Sequence, residues 1–69
     1  MERVSVESST LVSVGYDLTN ETLELEFRDG VYQYFGVSPD VHEELMNAES
    51  KGSYFNRYIR DKYSCSRVA

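Results

Sequence analysis

Basic and aromatic residues alternate in the C-terminal third of this 69-residue chain. Residues 51–69 carry five bases and one acid, whereas residues 1–50 carry eleven acids and two bases, so a basic segment follows an acidic body. Lysine and arginine side chains can contact phosphates, and tyrosine rings can stack on the bases of single-stranded RNA. The pattern predicts a weak, salt-sensitive nucleic-acid-binding site. Its candidate residues are Lys51, Tyr54, Arg57, Tyr58, Arg60, Lys62 and Tyr63.

Two interpretations of this charge separation stay open. In the first, the acidic and basic parts attract each other and surround one small core. In the second, the basic segment forms a localised anion-binding face. Charge alone favours the first interpretation. The acidic body also repels a polyanion everywhere except at a small patch, which limits any nucleic-acid contact to that patch.

Other kinds of chemistry have little support in the sequence. Cys65 is the only cysteine, which excludes a disulfide within the chain and is typical of a reducing, intracellular setting. His42 is the only histidine, and one histidine does not make a metal site, which needs three or four ligands. No nucleophile has a base predicted beside it. We therefore expect a protein that is not an enzyme and that binds no metal and no cofactor.

Strands come first among the elements that would position these residues. Residues 12–16 alternate Val12, Val14 and Tyr16 with smaller side chains, and residues 22–28 alternate apolar with charged side chains. Such alternation predicts strands with one buried and one solvated face. A returning strand is expected at residues 31–37, and a short strand or lead-in at residues 3–6.

Two short helices are expected after the strands. Ser38 is a suitable N-cap and Pro39 suits a first helical turn, so the first helix begins there. Ser53 is expected to cap the second helix, which runs to about Lys62. The predicted fold class is α+β: a three-stranded antiparallel meander, or a four-stranded one if the N-terminal segment pairs, followed by two short helices packed on one sheet face.

The directions of Tyr32 and Tyr34 depend on the turn at Asp29-Gly30. A two-residue type I′ turn pairs Phe27 with Tyr32 and places both tyrosines on the core face. A type I turn with a bulge pairs Phe27 with Val31 and turns both tyrosines to solvent, because one residue of slip exchanges the faces. The first register is favoured, since it buries two large rings in a small domain that needs apolar area.

The length allows one domain over residues 1–69, with a tail that frays from about residue 64. The first residues lack the apolar segment of a signal peptide, and no apolar run approaches the roughly 20 residues that span a bilayer. We expect a cytoplasmic protein without membrane contact, present as a monomer or a weak dimer.

Four runs of the chain carry a resemblance to a known family: SSTLVSVGYD at residues 8–17, TLELEF at 22–27, VYQYFGVSPDV at 31–41 and SKGSYFNRYIRDKY at 50–63. Together they resemble the KTSC domain, over roughly residues 3–67. The hallmark of that family is a central Y-x-Y, here Tyr32-Gln33-Tyr34. The chain departs from the family pattern at Ser38, where a direct Val-Pro is common, and at Cys65-Ser66, where aromatic or proline residues often occur.

The resemblance implies a small domain found at the C-terminus of some lysyl-tRNA synthetases and as stand-alone small bacterial proteins. It does not imply aminoacylation, because nothing of a synthetase catalytic domain is present. The synthetase context suggests RNA or tRNA as a partner, so the first hypothesis is a small non-catalytic RNA-binding module. The second is a protein-protein interaction or accessory module without nucleic-acid binding, suggested by an outward-facing Phe35 and an open sheet edge.

Overall fold

A five-stranded antiparallel sheet and two helices make up the fold. The computed structural model describes all of residues 1–69. The strands pair in chain order: the first four form a meander, and the C-terminal strand, which follows both helices, pairs with the fourth. The α+β class is confirmed, with five strands instead of the expected three or four. The elements are β1 (Arg3–Ser5), β2 (Leu11–Asp17), β3 (Thr22–Phe27), β4 (Gly30–Phe35), α1 (Pro39–Asn47), α2 (Lys51–Tyr58) and β5 (Cys65–Arg67).

The core lies between one face of the sheet and the two helices. Side chains two residues apart on a strand share a face, so Leu23 and Leu25 of β3 point inward together, and both are fully buried. Leu45 of α1 and Phe55 of α2 pack against this face. Burial of these side chains holds the helices on the sheet. The buried cluster is Leu11, Val14, Leu23, Leu25, Tyr34, Val37, Leu45, Phe55 and Ile59.

A β-bulge interrupts the alternation of β2. Leu11 lies opposite Phe27, but Ser13 lies opposite Glu26, so Val12 is an extra residue without a partner on β3. Val12 is consequently exposed, whereas Leu11 belongs to the core. The alternation predicted for residues 12–16 is therefore wrong at Val12, because a bulge moves one residue out of the pleat.

The hairpin between β3 and β4 turns at Arg28-Asp29, not at Asp29-Gly30. Phe27 pairs with Gly30, and the pairing continues through Leu25 with Tyr32 and Leu23 with Tyr34. Both expected registers were wrong, because each paired Phe27 with a residue farther along β4. The observed register differs from the favoured one by two residues, which leaves the faces unchanged.

Long-range contacts at Gly30 explain this register. A Cβ atom placed on Gly30 would lie 2.8 Å from both the Ala69 carbonyl oxygen and Arg67 Nε. The missing side chain therefore lets the C-terminal segment approach the first residue of β4. This contact joins the start of β4 to the end of the chain, and the turn residues alone could not have predicted it.

Helix α1 begins as predicted, whereas α2 begins and ends earlier. Ser38 caps α1 by accepting a hydrogen bond from the Val41 N–H at 3.4 Å. Ser50, not Ser53, caps α2 and accepts from the Ser53 N–H at 3.2 Å. Both helices are too short and too polar to cross a lipid bilayer.

The end of α2 falls at Tyr58, four residues before the expected Lys62. The Ile59 and Arg60 N–H groups both donate to the Phe55 carbonyl, at 3.0 and 2.9 Å. Sharing one carbonyl interrupts the regular series of helical bonds, and residues 59–62 form a turn. Arg60 and Lys62 therefore lie on a turn instead of a helix face.

The segment expected to fray from about residue 64 instead contains strand β5. Cys65 lies opposite Tyr34, and Arg67 lies opposite Tyr32. The Phe35 N–H also donates to the Ser64 carbonyl at 3.0 Å. All three residues of β5 are exposed, so the strand has no apolar alternation by which the sequence could have revealed it.

Candidate nucleic-acid interface

The exposed flank of α2 brings three of the predicted residues together. The Tyr54 and Tyr58 rings lie 4.8 Å apart between centroids, tilted by 44°. With Arg57 they line a shallow groove of about 290 Å³ that also includes Ser50 and Ser53. We call this the α2 groove. It presents two aromatic rings and one guanidinium group to solvent, which is the combination expected for stacking and phosphate contact.

Tyr54 is fixed in this groove by a partner on α1. Its hydroxyl donates to Glu44 Oε1 at 2.7 Å. Burial, followed by this carboxylate, raises the pKa of Tyr54 to about 12, so the phenol is neutral at physiological pH. Tyr58 has no such tether and half of its side chain is exposed. Tyr58 is therefore the more available ring for stacking on a base.

Arg60 lies away from the α2 groove, at a second concavity beside β4. This concavity has a volume of about 320 Å³, and we call it the β4 cleft. Two of its lining residues are the hallmark tyrosines, for which the sequence analysis favoured the core face. The cleft is lined by Phe27, Asp29, Tyr32, Tyr34, Phe55 and Arg60.

Aromatic rings in edge-to-face pairs form the wall of the β4 cleft. Phe27 packs against Tyr32 with centroids 5.6 Å apart and against Phe55 at 5.1 Å, and Tyr34 packs against Phe55 at 5.6 Å. Tyr34 is only 5% exposed, whereas Tyr32 is half-buried. Burial, then the neighbouring Cys65, raises the pKa of Tyr34 to about 12. These packed rings form a fixed wall whose accessible part comes from the half-buried Phe27 and Tyr32.

Arg67 is a residue of this region that the sequence analysis did not include in the site. Its guanidinium carbon lies 5.8 Å from the centroid of the Tyr32 ring, within the range of a cation–π interaction. Arg67 also donates to the Asp29 carbonyl at 2.5 Å and to the Ala69 carbonyl at 3.0 Å. The sequence showed only that Arg67 is basic, and it lies in a segment that was expected to fray.

The remaining predicted residues hold different positions. Lys51 Nζ donates to the Ala48 carbonyl at 3.2 Å and so helps to end α1. Lys62 is exposed on the turn after α2, and Tyr63 packs half-buried against the core. The structure thus places three of the seven predicted residues at the α2 groove and Arg60 at the β4 cleft, gives Lys51 and Tyr63 structural contacts, and leaves Lys62 exposed between the helices and β5.

Cations of the basic segment make no ion pair. The only ion pairs in the molecule join Arg3 of β1 to Glu24 and Glu26 of β3. Arg57, Arg60, Lys62 and Arg67 are exposed. Direct pairing between the acidic and basic parts, as the first interpretation of the charge separation would suggest, therefore does not occur. The charged groups of Arg57, Arg60 and Lys62 are available to an external anion, whereas the Arg67 guanidinium is already bonded to two carbonyls.

The sheet face opposite the helices carries a polar network instead of an aromatic surface. Arg3 bonds to Glu24, and its Nε donates to Ser13 Oγ at 3.0 Å. Ser13 in turn donates to Glu26 Oε1 at 2.7 Å, and Gln33 Nε2 donates to Glu24 Oε1 at 2.8 Å. The Gln33 amide, then Arg3, lowers the pKa of Glu24. Arg3 thus offsets part of the negative charge of this face.

The largest concavity lies at the other end of the molecule, between β1 and α1. This β1–α1 groove has a volume of about 630 Å³ and is lined by Met1, Val4, Tyr16, Leu18, His42 and Met46, among others. His42 stacks on Tyr16 with ring centroids 4.6 Å apart, and burial lowers the pKa of His42. Leu18 is 65% exposed. The groove combines apolar side chains with the acids Glu2 and Asp17 and has no lysine or arginine in its lining, so its chemistry differs from that of the basic segment.

Known proteins resemble the chain over nearly its whole length. The crystal structure of a KTSC domain protein from Yersinia pestis is 42% identical, covers 99% of this chain and 97% of its own, and superposes with a TM-score of 0.96. An uncharacterised protein of Stutzerimonas stutzeri is 41% identical over 64 residues, which are 91% of this chain and 90% of that protein.

A much longer protein also contains a matching region. The lysine–tRNA ligase of Nostoc punctiforme is 41% identical over 64 residues, which are 91% of this chain but only 11% of the ligase. The chain therefore corresponds to a small part of that enzyme, and the match assigns no catalytic role. The family model of the KTSC domain matches residues 7–63. With this match and the agreement in fold, the chain belongs to the KTSC domain family.

Proposed function

We propose that this protein is a small non-catalytic module that binds RNA, with tRNA as the first candidate, through the helix side of its basic C-terminal segment. One observation carries the proposal: the cations of residues 57–67 have no ion-pair partner and share their surface with tyrosine rings. Phosphates would contact Arg57, Arg60 and Lys62, and Tyr58 would stack on a base. The opposite sheet face, with its carboxylates, would point away from the RNA.

The number of available cations sets the expected strength. If three phosphates are neutralised, the logarithm of affinity for a single strand falls with the logarithm of salt concentration at a slope of about −2. Between 50 and 200 mM salt the affinity then falls about twentyfold. The net charge of −5 weakens long-range attraction, so binding should be detected most easily at low salt.

Similarity to part of a lysine–tRNA ligase supports the choice of tRNA and of the cytoplasm as the compartment. The matched ligase is named for a reaction that requires tRNA, and the shared region lies within that enzyme. An added RNA-binding surface would increase the effective concentration of tRNA near a linked domain. For the present chain this context is part of the proposal.

The experiment is a titration of labelled tRNA and of a single-stranded RNA at several salt concentrations. The Arg57→Ala/Arg60→Ala variant should lose most of the affinity and have a shallower salt slope. The single variants Arg57→Ala and Arg28→Ala form a matched pair, because each removes one charge. Arg28 lies on the β3–β4 turn, where it bonds to the Ser9 carbonyl. Equal losses in this pair, or no salt dependence, would refute the proposal.

A second candidate function, protein interaction, is favoured by the β1–α1 groove. Three of the most exposed apolar side chains, Met1, Val4 and Leu18, gather there. The groove also adjoins β1, which is an edge strand of the sheet. Sedimentation velocity over a range of protein concentrations tests self-association. If the groove mediates it, Leu18→Ser should reduce the dimer fraction, whereas exposed Phe35→Ser on the opposite face should not. A monomer at all concentrations would remove self-association through this groove.

A further inference from the structure

We infer that the β4 cleft is a pocket for a single nucleobase and that guanine is the base that fits it best. This inference rests on the proposed function, because it names the part of an RNA that the cleft would hold. The inference goes beyond the proposed function because it gives the site a base specificity and assigns a binding role to Tyr32 and Tyr34 of β4.

Shape and surface of the cleft suit a flat aromatic ligand. Its volume of about 320 Å³ lies at the lower end of the range for small-molecule pockets, about 300–1,000 Å³. Its wall consists of the rings of Phe27, Tyr32, Tyr34 and Phe55, which hold one another in edge-to-face contacts. Tyr34 and Phe55 are buried and support the half-buried rings of Phe27 and Tyr32, so a base would stack on these two and replace the stacking that it leaves in a single strand.

Two opposite charges of the cleft remain available to a ligand. The Arg60 side chain has no hydrogen bond and no ion pair, although Asp29 lines the same cleft. The Asp29 carboxylate accepts only a long bond of 3.3 Å, from the Tyr32 hydroxyl to Oδ2. Oδ1 therefore remains free to accept a further hydrogen bond.

Guanine matches this pair of groups more completely than the other bases. Its O6 and N7 atoms are acceptors that arginine can bind in a bidentate way. On the neighbouring edge it carries N1–H and N2–H donors, which suit a carboxylate such as Asp29. Adenine has an amino donor where guanine has O6, and this amino group would face the Arg60 guanidinium.

Arg67 acts here as a positioning residue. It donates to the backbone carbonyl of Asp29 and lies over the ring of Tyr32, so it holds both the carboxylate-bearing residue and one wall of the cleft. Strand β5 brings Arg67 to this place through the pairing of Arg67 with Tyr32. The C-terminal segment therefore completes the cleft.

Amide NMR shift mapping of the full chain with mononucleotides tests the inference. GMP, AMP, CMP and UMP carry the same phosphate, and inorganic phosphate serves as the probe without a base. We expect saturable shifts at residues 29–34 and at Arg60, with GMP binding about tenfold more tightly than AMP. The phosphate alone should not reproduce the GMP shifts at residues 29–34.

Three variants separate the roles of the side chains. Arg60→Ala should weaken GMP binding about tenfold, because a charge-assisted bond is lost. Arg28→Ala removes the same charge from a side chain that bonds to the Ser9 carbonyl outside the cleft, and it should leave GMP binding unchanged. Asp29→Asn should reduce the ratio of GMP to AMP affinity toward one. The unliganded spectra of all variants report whether the fold is kept.

Several results would overturn the inference. They are shifts centred on Tyr54 and Tyr58, equal shifts with inorganic phosphate, equal affinity for GMP and AMP, or no saturable shift up to about 10 mM nucleotide. If RNA binds with salt dependence but GMP does not shift the cleft, the inference fails and the proposed function stands. If GMP binds in the cleft but RNA does not bind, the proposed function fails and the cleft is a site for guanine nucleotides.

Discussion

Gly52→Ala tests how closely α2 packs on the loop that precedes β2. Gly52 is buried inside the first turn of α2. A Cβ atom placed on it would lie 2.5 Å from Thr10 Oγ1 and 3.0 Å from Thr10 Cβ, and real Cβ contacts are longer. The helix or the loop must therefore move to accept even one methyl group. Since α2 carries Arg57 and leads into Arg60, this close packing also positions the basic segment.

Two opposing effects set the magnitude. In an exposed helix interior, alanine in place of glycine stabilises by about 1 kcal/mol. Adding a methyl group to a well-packed site costs about 1–3 kcal/mol. We expect the packing cost to exceed the gain and the net destabilisation to be about 1 kcal/mol. For a domain of this size that lowers Tm by about 4–8 °C.

Thermal and urea unfolding, followed by circular dichroism, measure the effect. Asn56→Ala is the matched control, because Asn56 lies exposed on the same helix and its replacement only improves helix propensity. Thr10→Ala removes Oγ1, the atom of closest contact, so the double variant Thr10→Ala/Gly52→Ala should recover part of the loss. A Gly52→Ala protein that is more stable than wild type would refute this account of the packing.

Two further predictions concern stability. The Gln33 amide, and then Arg3, lowers the pKa of Glu24 in the folded state. The Glu24 carboxylate therefore contributes its full stabilisation above the ordinary pKa of glutamate, about 4.3. This stabilisation is lost as the pH falls through the lower pKa of the folded state. In urea unfolding, the free energy of unfolding of Glu24→Gln should therefore fall less between neutral and acidic pH than that of wild type. Replacement of an exposed residue, Glu7→Gln, should not reduce this fall. The same pH dependence in both variants would count against a stabilising role of the network around Glu24. Ser38→Ala removes the side-chain cap of α1 and should lower the free energy of unfolding by about 1 kcal/mol, while Ser38→Asp should retain most of it. An unchanged midpoint in Ser38→Ala would show that the cap contributes little.

Local sequence patterns were sufficient for the elements whose signals lie within a few residues. The alternation around Leu23 and Leu25 predicted β3 and its buried face, and Ser38-Pro39 predicted the start of α1. The basic character of the segment after residue 50 was also visible from the sequence. Each of these signals depends on neighbours along one strand or one helical turn, where spacing alone determines which side chains share a face.

Features that depend on distant residues could not be predicted in this way. The turn at Arg28-Asp29 follows from the contact of Gly30 with Arg67 and Ala69, about 40 residues away along the chain. Strand β5 has no apolar alternation and forms because the edge of β4 is open to it. The early cap of α2 at Ser50 accompanies the packing of Gly52 on Thr10.

The candidate site divides in the same manner. By itself the sequence determined which residue types are present: cations and tyrosines near the C-terminus, and the tyrosine pair of the KTSC domain family on a strand. It favoured the core face for this pair but left the choice to the turn. Only the tertiary structure decided that Arg60 turns away from Arg57 and lines a cleft with Tyr32, Tyr34 and Asp29, and that Arg67 completes it. The physical reason is that contacts between residues distant in the sequence determine where a helix ends and which register a strand adopts. At the end of α2, the Ile59 and Arg60 N–H groups share the Phe55 carbonyl, and the chain leaves the helix there.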